Sequence, residues 1–351
     1  MKNRTIIFFS QVDKFYFRNW EYYVVDNNIL NDCYSNVIFT NNTFKAIYLL
    51  FKFKNSELYC WWWHRSFPVI LPAWLLRKKI YSTGAIHMYD YSKGRTFYSR
   101  SFIYRIFTSL SLRLSTYNLF ISNDQLLSIS SALKVNNPIL AQSSLTKSIS
   151  DNPPVLNDES LSINKSYVKL LFIGWLTKST IYRKSLITTL EAVAECIFQR
   201  DINIQLVIAG RTADGVEMLK QVIKELSISD HVSISLDISQ EEKDSLYMSS
   251  DLMVSPSYME GFGNASLEAM SFGCPVVVSR YGASPEVVGD TGFIINSIDS
   301  NSIANALSDY HKLTIKERKQ MRIEAYTRAY KCFGYKKRLE RLRSIFNLSK
   351  I

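Results

Sequence analysis

Short apolar runs alternate with longer amphipathic segments along the chain, and this alternation constrains the fold more than any other feature. Residues 252–254 and 275–278 are apolar at every position, which is typical of strands covered on both faces of a parallel sheet. Residues 184–199, by contrast, gather leucine, valine and isoleucine on one face of a predicted helix. This alternation predicts an α/β fold with doubly wound, mostly parallel sheets.

The patterns predict elements in both halves of the chain. In the first half we predict strands at 5–9, 36–40, 57–62, 80–83 and 119–122, and helices at 44–53 and 98–115. In the second half we predict strands at 167–174, 204–209, 231–236, 252–254 and 275–278, and helices at 184–199, 215–226, 240–249, 265–272 and 315–346. Because ligands bind at the carboxyl ends of parallel strands, residues 10–20, 63–67 and 84–93 should lie on a binding edge.

A segment rich in serine and asparagine, residues 143–166, separates the two halves and lacks periodicity, as linkers do. A chain of 351 residues is long enough for two domains. We therefore predict an N-terminal domain at 1–155, a C-terminal domain at 165–325 and a final helical segment at 326–351.

The net charge divides the chain at the same place. The first 150 residues contain 18 lysines and arginines against 7 acidic residues, an excess of 11, whereas residues 151–351 contain 24 of each. A basic first half favours anionic lipid, a phosphorylated acceptor or nucleic acid as a partner, or else it is a functionally silent surface. No recognisable nucleic-acid motif accompanies the charge, so we expect no nucleic-acid partner.

Cysteine spacing and hydropathy indicate the compartment. Five cysteines without CxxC spacing fit a reducing cytosol better than a disulfide framework. The N-terminal apolar core is too short for a signal peptide, and no stretch reaches the ~20 apolar residues of a membrane span. Residues 61–79 begin with three consecutive tryptophans and end in cations. They form either a peripheral contact with an anionic membrane or a buried strand and helix of an α/β domain.

A glycine-containing loop at residues 260–264 follows an apolar strand and opens into the predicted helix at 265–272, with Asn264 as its predicted N-cap. A strand, a glycine loop and a helix N-terminus together make a natural anion site. Since carboxylates repel phosphate, we expect Glu260 and Glu268 to hold sugar or ribose hydroxyls beside a diphosphate. The loop therefore predicts a nucleotide-sugar site.

Two earlier strands end in glycine and are followed by cations. Arg183 and Lys184 come after Gly174, and Arg211 comes directly after Gly210. Cations and strand-end glycines that converge on one edge of a sheet predict a diphosphate pocket.

The loop at residues 82–90 is the most suggestive part of the first half. It combines Gly84, His87 and Asp90 just beyond a predicted strand. Either polar side chain could bind an acceptor hydroxyl, and an ordinary structural role for His87 is the alternative.

The run PSYMEGFGNASLEAMSFGCPVVVSRYGASPEVVGDTGFI resembles the signature of retaining glycosyltransferase family 4, with its E-x7-E pair at Glu260 and Glu268. The resemblance extends over the second half, where LLFIGWL, RKS, LVIAG and DISQEEKDSLYMSSDLMVSPS occur in the family's order and rough spacing. In the first half it covers only the strand alternation and the stretch from STGAIHMYDYS to FISND.

The resemblance implies a GT-B fold, with two Rossmann-like doubly wound domains that face each other across a cleft, and a final helix that crosses back to the first domain. It implies that Glu260 holds donor hexose hydroxyls, that Glu268 holds ribose hydroxyls and that Lys184 binds the diphosphate. The resemblance also implies that the backbone of the loop at Gly261, Phe262, Gly263 and Asn264 approaches the sugar and phosphates. The expected catalytic residues are Glu260, Lys184, Arg183 and His87, of which His87 comes from the loop at residues 82–90.

The sequence departs from the family pattern at two positions. An arginine often follows the glycine equivalent to Gly174, but Trp175 stands there, and Ser185 replaces the glycine that usually follows the lysine. Arg183 or Lys178 would then supply the second phosphate cation.

The resemblance also implies the reaction. A retaining transferase of this type moves a hexose from a UDP- or GDP-sugar by same-face attack, and the leaving phosphate helps to deprotonate the acceptor. No DxD-like motif lies beside a suitable strand, so we expect no metal and no further cofactor.

We expect a glycan or lipid-linked acceptor in cell-surface polysaccharide synthesis, such as O-antigen, capsule or lipopolysaccharide, at the inner face of the membrane. The alternatives are a nucleotide-sugar epimerase or phosphorylase on the same fold, and a non-catalytic basic module that binds membrane or nucleic acid.

Overall fold

The computed structural model describes residues 4–13, 15, 17, 20–88, 96–156 and 166–347, and the chain forms two compact units. The first unit contains residues 1–150 together with 333–351, and the second contains residues 151–332. The first unit therefore ends at residue 150 before the chain enters the second unit, whereas the sequence pattern predicted this boundary at residue 155. The predicted linker contains a short helix at Lys147–Asp151, and its residues 157–165 lie outside the described part of the chain.

The first unit contains a six-stranded parallel sheet in the order β2-β1-β3-β4-β5-β6. Its strands are β1 Thr5–Phe9, β2 Asn36–Thr40, β3 Glu57–Trp61, β4 Ile80–Gly84, β5 Tyr117–Phe120 and β6 Pro138–Leu140. Its helices before the linker are α1 Glu21–Cys33, α2 Thr43–Lys52, α3 Trp63–Leu75, α4 Phe102–Leu114 and α5 Asn123–Ala132, and Lys147–Asp151 is α6. Since parallel crossovers are right-handed, α1 covers one face of the sheet and α2 to α5 cover the other.

The final helix, α15 Tyr335–Asn347, packs on the first unit beside α1. Arg338 donates from Nε and Nη2 to Asp26 Oδ1 at 2.9 and 2.7 Å, and both side chains are buried. Phe346 packs edge-on against Tyr81 with 4.9 Å between ring centroids. The predicted continuous helix at 315–346 is instead two helices separated by Gly334, so the segment that joins the first unit begins at 333 rather than 326.

The second unit contains another six-stranded parallel sheet, in the order β12-β11-β10-β7-β8-β9. Its strands are β7 Val168–Ile173, β8 Ile204–Gly210, β9 Val232–Leu236, β10 Leu252–Ser255, β11 Val276–Ser279 and β12 Phe293–Ile295. Its helices are α7 Lys178–Arg183, α8 Leu186–Arg200, α9 Val216–Glu225, α10 Gln240–Ser249, α11 Asn264–Ser271, α12 Ser284–Val288, α13 Ser300–Lys312 and α14 Ile315–Phe333.

Two parallel sheets with interleaved helices confirm the predicted α/β, doubly wound class. The continuously apolar strands of the second unit are buried as the pattern predicts, with Leu252 to Val254 and Val276 to Val278 fully covered. Residues 61–79 form the end of β3, the helix α3 and the turn that follows it. Among the described residues, no helix combines the length and apolarity required to cross a membrane.

Candidate active site

Glu260 lies in the loop between β10 and α11, and three side chains converge on its carboxylate. Its Oε1 accepts hydrogen bonds from Lys184 Nζ at 3.0 Å, from Ser257 Oγ at 3.2 Å and from Arg183 Nη1 at 3.4 Å. Arg183 Nη1 also donates to the carbonyl oxygen of Met259 at 3.0 Å, which ties it to the same loop. The structure thus brings together the three predicted residues Glu260, Lys184 and Arg183, and it adds Ser257.

The electrostatics of this cluster keep Glu260 ionised. Burial alone would raise the pKa of Glu260, but the charges of Lys184 and Arg183 outweigh burial and hold the pKa at about 2. The carboxylate is 17% exposed and the Lys184 ammonium side chain is 10% exposed, so the pair is largely shielded from water. Glu260 is therefore a permanent hydrogen-bond acceptor near neutral pH, suited to hydroxyl groups.

Lys184 is positioned by an unusual backbone turn. It caps the C-terminus of α7, and Ser185 follows in the left-handed region with φ of 54° before α8 begins at Leu186. A glycine is favoured at such a position because it has no Cβ. The predicted helix at 184–199 therefore begins two residues later, and Ser185 occupies the turn instead.

Gly174 and Gly210 lie in close packing at the strand ends, and the packing at Gly210 requires a glycine. A Cβ on Gly174 would lie 3.3 Å from Cδ of Lys184, against the stem that carries the ammonium group. A Cβ on Gly210 would lie 1.8 Å from the carbonyl oxygen of Gly174, a distance that no side chain tolerates. Both glycines thus hold the end of the sheet close to Lys184.

The turn from Gly261 to Asn264 leads into α11. Gly263 is the N-cap, with φ of 98°, and the helix begins at Asn264, so the predicted cap at Asn264 is wrong by one residue. Phe262 is buried, 3% exposed, and anchors the turn. Gly263 has no side chain to cap the helix, and the N-terminal end of the helix is a site of partial positive charge.

The loop after β11 packs against the backbone of Glu260 and helps to fix its position. Gly282 has φ of 68°, and a Cβ there would lie 2.6 Å from the carbonyl oxygen of Glu260. The backbone N–H of Ala283 donates to that carbonyl oxygen at 3.0 Å. Sequence reasoning missed this support, because the contact joins two loops more than twenty residues apart.

Glu268 lies on the second turn of α11 and is held by two residues of α10. Its Oε2 accepts hydrogen bonds from Lys243 Nζ at 3.0 Å and from Tyr247 Oη at 3.1 Å. The carboxylate side chain is 8% exposed. Lys243 and Tyr247 were not predicted, although their spacing of four residues on a predicted helix places them on one face.

Arg211 lies just beyond β8 and contacts the residue that departs from the family pattern. Its guanidinium stands 5.5 Å from the ring centroid of Trp175. Arg211 therefore puts a cation beside Trp175, the position at which the family often carries an arginine. This cation follows β8, whereas Trp175 follows β7.

The first unit has a pocket of about 560 Å³ at the carboxyl ends of β1, β3 and β4. It is lined by Gln11, Val12, Asp13, Trp20, Tyr22, Trp62, His64, Arg65, Ala85, Arg100 and Tyr104. The three loops expected on the binding edge each contribute to it. Sequence reasoning placed those loops together but did not single out Trp62, His64, Arg65 or Arg100.

Two features of this pocket are unusual. Trp62 has a left-handed backbone, with φ of 73°, and its indole N–H donates to Tyr23 Oη at 2.6 Å. Such a conformation is rare and costly for a bulky residue and is often found at functional sites. Burial, followed by the charges of Arg65 and Arg100, lowers the pKa of His64 to about 4. His64 is therefore a neutral imidazole at neutral pH.

Two of the predicted acceptor residues, Gly84 and His87, lie at or beyond the same edge. Gly84 ends β4, and a Cβ there would lie 3.0 Å from the ring of Trp63, so the glycine permits close packing. The carbonyl oxygen of His87 accepts a hydrogen bond from the backbone N–H of Phe97 at 2.7 Å. Asp90 lies outside the described residues. Among the described residues, the histidine that lines the pocket is His64.

No group of three or more histidine, cysteine or carboxylate side chains suited to holding a metal ion occurs among the described residues. The site is instead organised around fixed cations and backbone groups.

Comparison with known proteins shows what the second unit is similar to. The family described as Glycosyl transferases group 1 matches residues 156–328. A 103-residue stretch is 44% identical to an MMP alpha-(1->4)-mannosyltransferase of Mycolicibacterium hassiacum, covering 29% of this chain and 24% of that protein. A 134-residue stretch is 30% identical to the O-antigen chain mannosyltransferase B of Escherichia coli, covering 38% and 34%. The matched segments thus span only about a quarter to a third of these relatives.

Solved structures resemble the whole chain. A glycosyltransferase from Rickettsia africae superposes with a TM-score of 0.77 at 14% identity, over 99% of this chain and 98% of that chain. Anabaena Alr3699/HepE, solved in complex with UDP and glucose, superposes with a TM-score of 0.74 at 15% identity, over 99% and 100%. The fold is therefore the two-domain, Rossmann-like GT-B fold, and residues 156–328 of the second unit match the glycosyltransferase family model.

Proposed function

We propose that the protein is a retaining glycosyltransferase of the family 4 type, which moves a hexose from a UDP- or GDP-sugar to a glycan or lipid-linked acceptor without a metal. The observation that carries this proposal is the ionised carboxylate of Glu260, held by Lys184 and Arg183 beside the start of α11. An acceptor of hydrogen bonds beside two cations and a helix N-terminus matches a neutral sugar joined to a diphosphate.

The arrangement supports a metal-free displacement. As the anomeric C–O bond to the diphosphate breaks, positive charge develops on the sugar ring and negative charge on the leaving group. Lys184, Arg183 and the N-terminal end of α11 would stabilise the departing diphosphate. The acceptor oxygen would form the new C–O bond on the same face and pass its proton to an oxygen of the departing phosphate.

The two carboxylates would hold different parts of the donor. Glu260, ionised near neutral pH, would accept hydrogen bonds from hexose hydroxyls and favour the positive ring of the transition state. Glu268, oriented by Lys243 and Tyr247, would accept hydrogen bonds from the ribose hydroxyls.

The pocket of the first unit is the proposed acceptor site. Its volume of about 560 Å³ suits a sugar residue, and Trp20 and Trp62 provide flat surfaces on which a sugar ring packs. The neutral imidazole of His64 would accept a hydrogen bond from an acceptor hydroxyl. Gly84 and His87, at the same sheet edge, remain predicted acceptor residues.

The proposed role is in cell-surface polysaccharide synthesis, in the cytoplasm at the inner face of the membrane. The similarity to an O-antigen chain mannosyltransferase supports this role. The protein would encounter a lipid-linked acceptor at a membrane surface.

A thermal-shift screen against UDP, GDP and their sugars tests the donor site, and analysis of the transfer product follows. Lys184→Gln should weaken nucleoside-diphosphate binding about tenfold or more, because a charge-assisted hydrogen bond is lost. Lys220→Gln, at an exposed lysine on α9, is the matched control and should bind normally. A protein that neither binds a nucleoside diphosphate nor cleaves a nucleotide sugar would refute the proposal, and an epimerised or phosphorolysed product would refute transfer.

A further inference from the structure

Helices α2, α3 and α4 lie side by side on one face of the first unit's sheet, and large apolar side chains project from all three. On each helix these side chains recur at helical spacing, so they share the outward face. They are Phe44, Tyr48 and Phe51 on α2, Leu71, Trp74 and Leu75 on α3, and Phe102, Ile103 and Ile106 on α4. We call these nine residues the apolar outer surface.

The charge on these helices has a single sign. None of the three helices, Thr43–Lys52, Trp63–Leu75 and Phe102–Leu114, contains an aspartate or glutamate. They carry five cations, and Arg77 lies two residues beyond the end of α3; the five are Lys45, Lys52, Arg65, Arg105 and Arg113. An exposed apolar face mixed with cations and free of acids is disfavoured at a surface that meets only water.

A shallow groove of about 370 Å³ runs along α4 within this surface. Phe102, Ile106 and Leu110 line it, and Arg105 and Arg113 lie among them. The Nε–H of Arg105 is buried and has no hydrogen-bond partner among the described residues. The Arg105 side chain, which lines the groove among apolar side chains, matches a ligand that has an oxyanion attached to a hydrocarbon chain.

We propose that the apolar outer surface docks on a bilayer that contains anionic phospholipid. The aromatic and aliphatic side chains insert among the headgroups, and Arg105 and Arg113 bind lipid phosphate. Charge complementarity favours this occupant over a protein partner, because the helices offer no carboxylate to pair with a partner's cations. The whole excess positive charge of the chain also lies in the first 150 residues. This inference rests on one part of the proposed function, namely that the acceptor is lipid-linked.

Flotation with phospholipid vesicles tests the proposal on the full chain. The protein should float with vesicles that mix phosphatidylglycerol with phosphatidylcholine and not with phosphatidylcholine alone, and added salt should reduce binding. Replacing Arg105 and Arg113 together by glutamine should lower partitioning about fivefold for each cation removed. Phe102→Ser should lower it as well.

Two variants of the second unit serve as matched controls. Phe198→Ser removes a similarly exposed aromatic side chain from α8, and Lys220→Gln removes an exposed cation from α9. Both should float as the unaltered protein does. Equal binding to both kinds of vesicle, no binding to either, or a dimer in solution that Phe102→Ser dissociates would overturn the proposal.

The proposed transferase activity is read out separately. UDP or GDP binding, followed by thermal shift, should be the same in the Phe102 and Arg105 variants as in the unaltered protein. Vesicle binding without any nucleotide binding would refute the proposed function alone, and nucleotide binding without flotation would refute the docking surface alone.

Discussion

Replacing Glu260 by glutamine tests the proposed donor site most directly, because glutamine keeps the shape of the side chain and removes its charge. Lys184 and Arg183 would lose their common anionic partner in a cluster that is largely shielded from water. The folded-state pKa of about 2 lies well below the ordinary 4.5. At about 1.4 kcal/mol per unit, the ionised form contributes on the order of 3 kcal/mol to stability near neutral pH.

The sign of the pH dependence follows from the lowered pKa. A carboxyl group whose pKa is lower in the folded state contributes its full stability above its unfolded pKa and loses it as the pH falls through the folded pKa. The stability gap between the protein and Glu260→Gln should therefore be on the order of 3 kcal/mol near neutral pH and about half of that near pH 3. Urea denaturation at both pH values measures the gap.

The same variant separates sugar binding from nucleotide binding. Glu260→Gln should lower the rate of sugar transfer about a hundredfold, as expected when a charged group that stabilises the transition state is removed. It should leave binding of UDP or GDP largely intact, because Lys184 is retained. Glu195→Gln is the matched control, since Glu195 is also 17% exposed and paired with an arginine of the second unit.

Three results would refute this reasoning. They are a stability gap near zero at neutral pH, a gap that does not change with pH, and a loss of nucleotide binding equal to the loss of transfer. The last result would mean that Glu260 holds the nucleotide rather than the hexose.

Three further changes have defined outcomes. Ser185→Gly should raise the free energy of unfolding by about 1 kcal/mol in urea denaturation, because it relieves a left-handed backbone and removes a buried hydroxyl without a partner among the described residues. Gly282→Ala should slow transfer and lower the melting temperature, at a cost of about 1–3 kcal/mol, because its Cβ would displace the Glu260 backbone; unchanged kinetics would contradict this contact. Arg338→Gln should cost about 3–5 kcal/mol by leaving the buried Asp26 carboxylate without its cation, and adding Asp26→Asn should restore part of that loss.

Part of the fold and of the site could be predicted because it depends on residues close together in the chain. The continuously apolar runs of the second half predicted buried parallel strands, since strands covered on both faces have that pattern. The loop with Glu260 could be predicted for the same reason, since a strand end, glycines and a helix start are local features. The resemblance then supplied Lys184, and the structure puts its ammonium 3.0 Å from that carboxylate.

Other features could not be predicted, because they join residues that are distant in sequence. Lys243 reaches Glu268 from a different helix, and the ion pair of Asp26 with Arg338 joins residues from the two ends of the chain. The left-handed backbone at Trp62 has no signal in its residue type, since only the surrounding contacts hold a bulky side chain in that conformation.

The alternation of apolar runs and amphipathic segments by itself determined that this chain forms doubly wound parallel sheets, because side-chain periodicity is read along the chain. The tertiary structure alone decided which side chains meet across the sheet edges and which faces of α2, α3 and α4 remain uncovered. Those outcomes depend on the crossover of each helix and on packing between distant segments. Local sequence patterns predict neither the crossovers nor this packing.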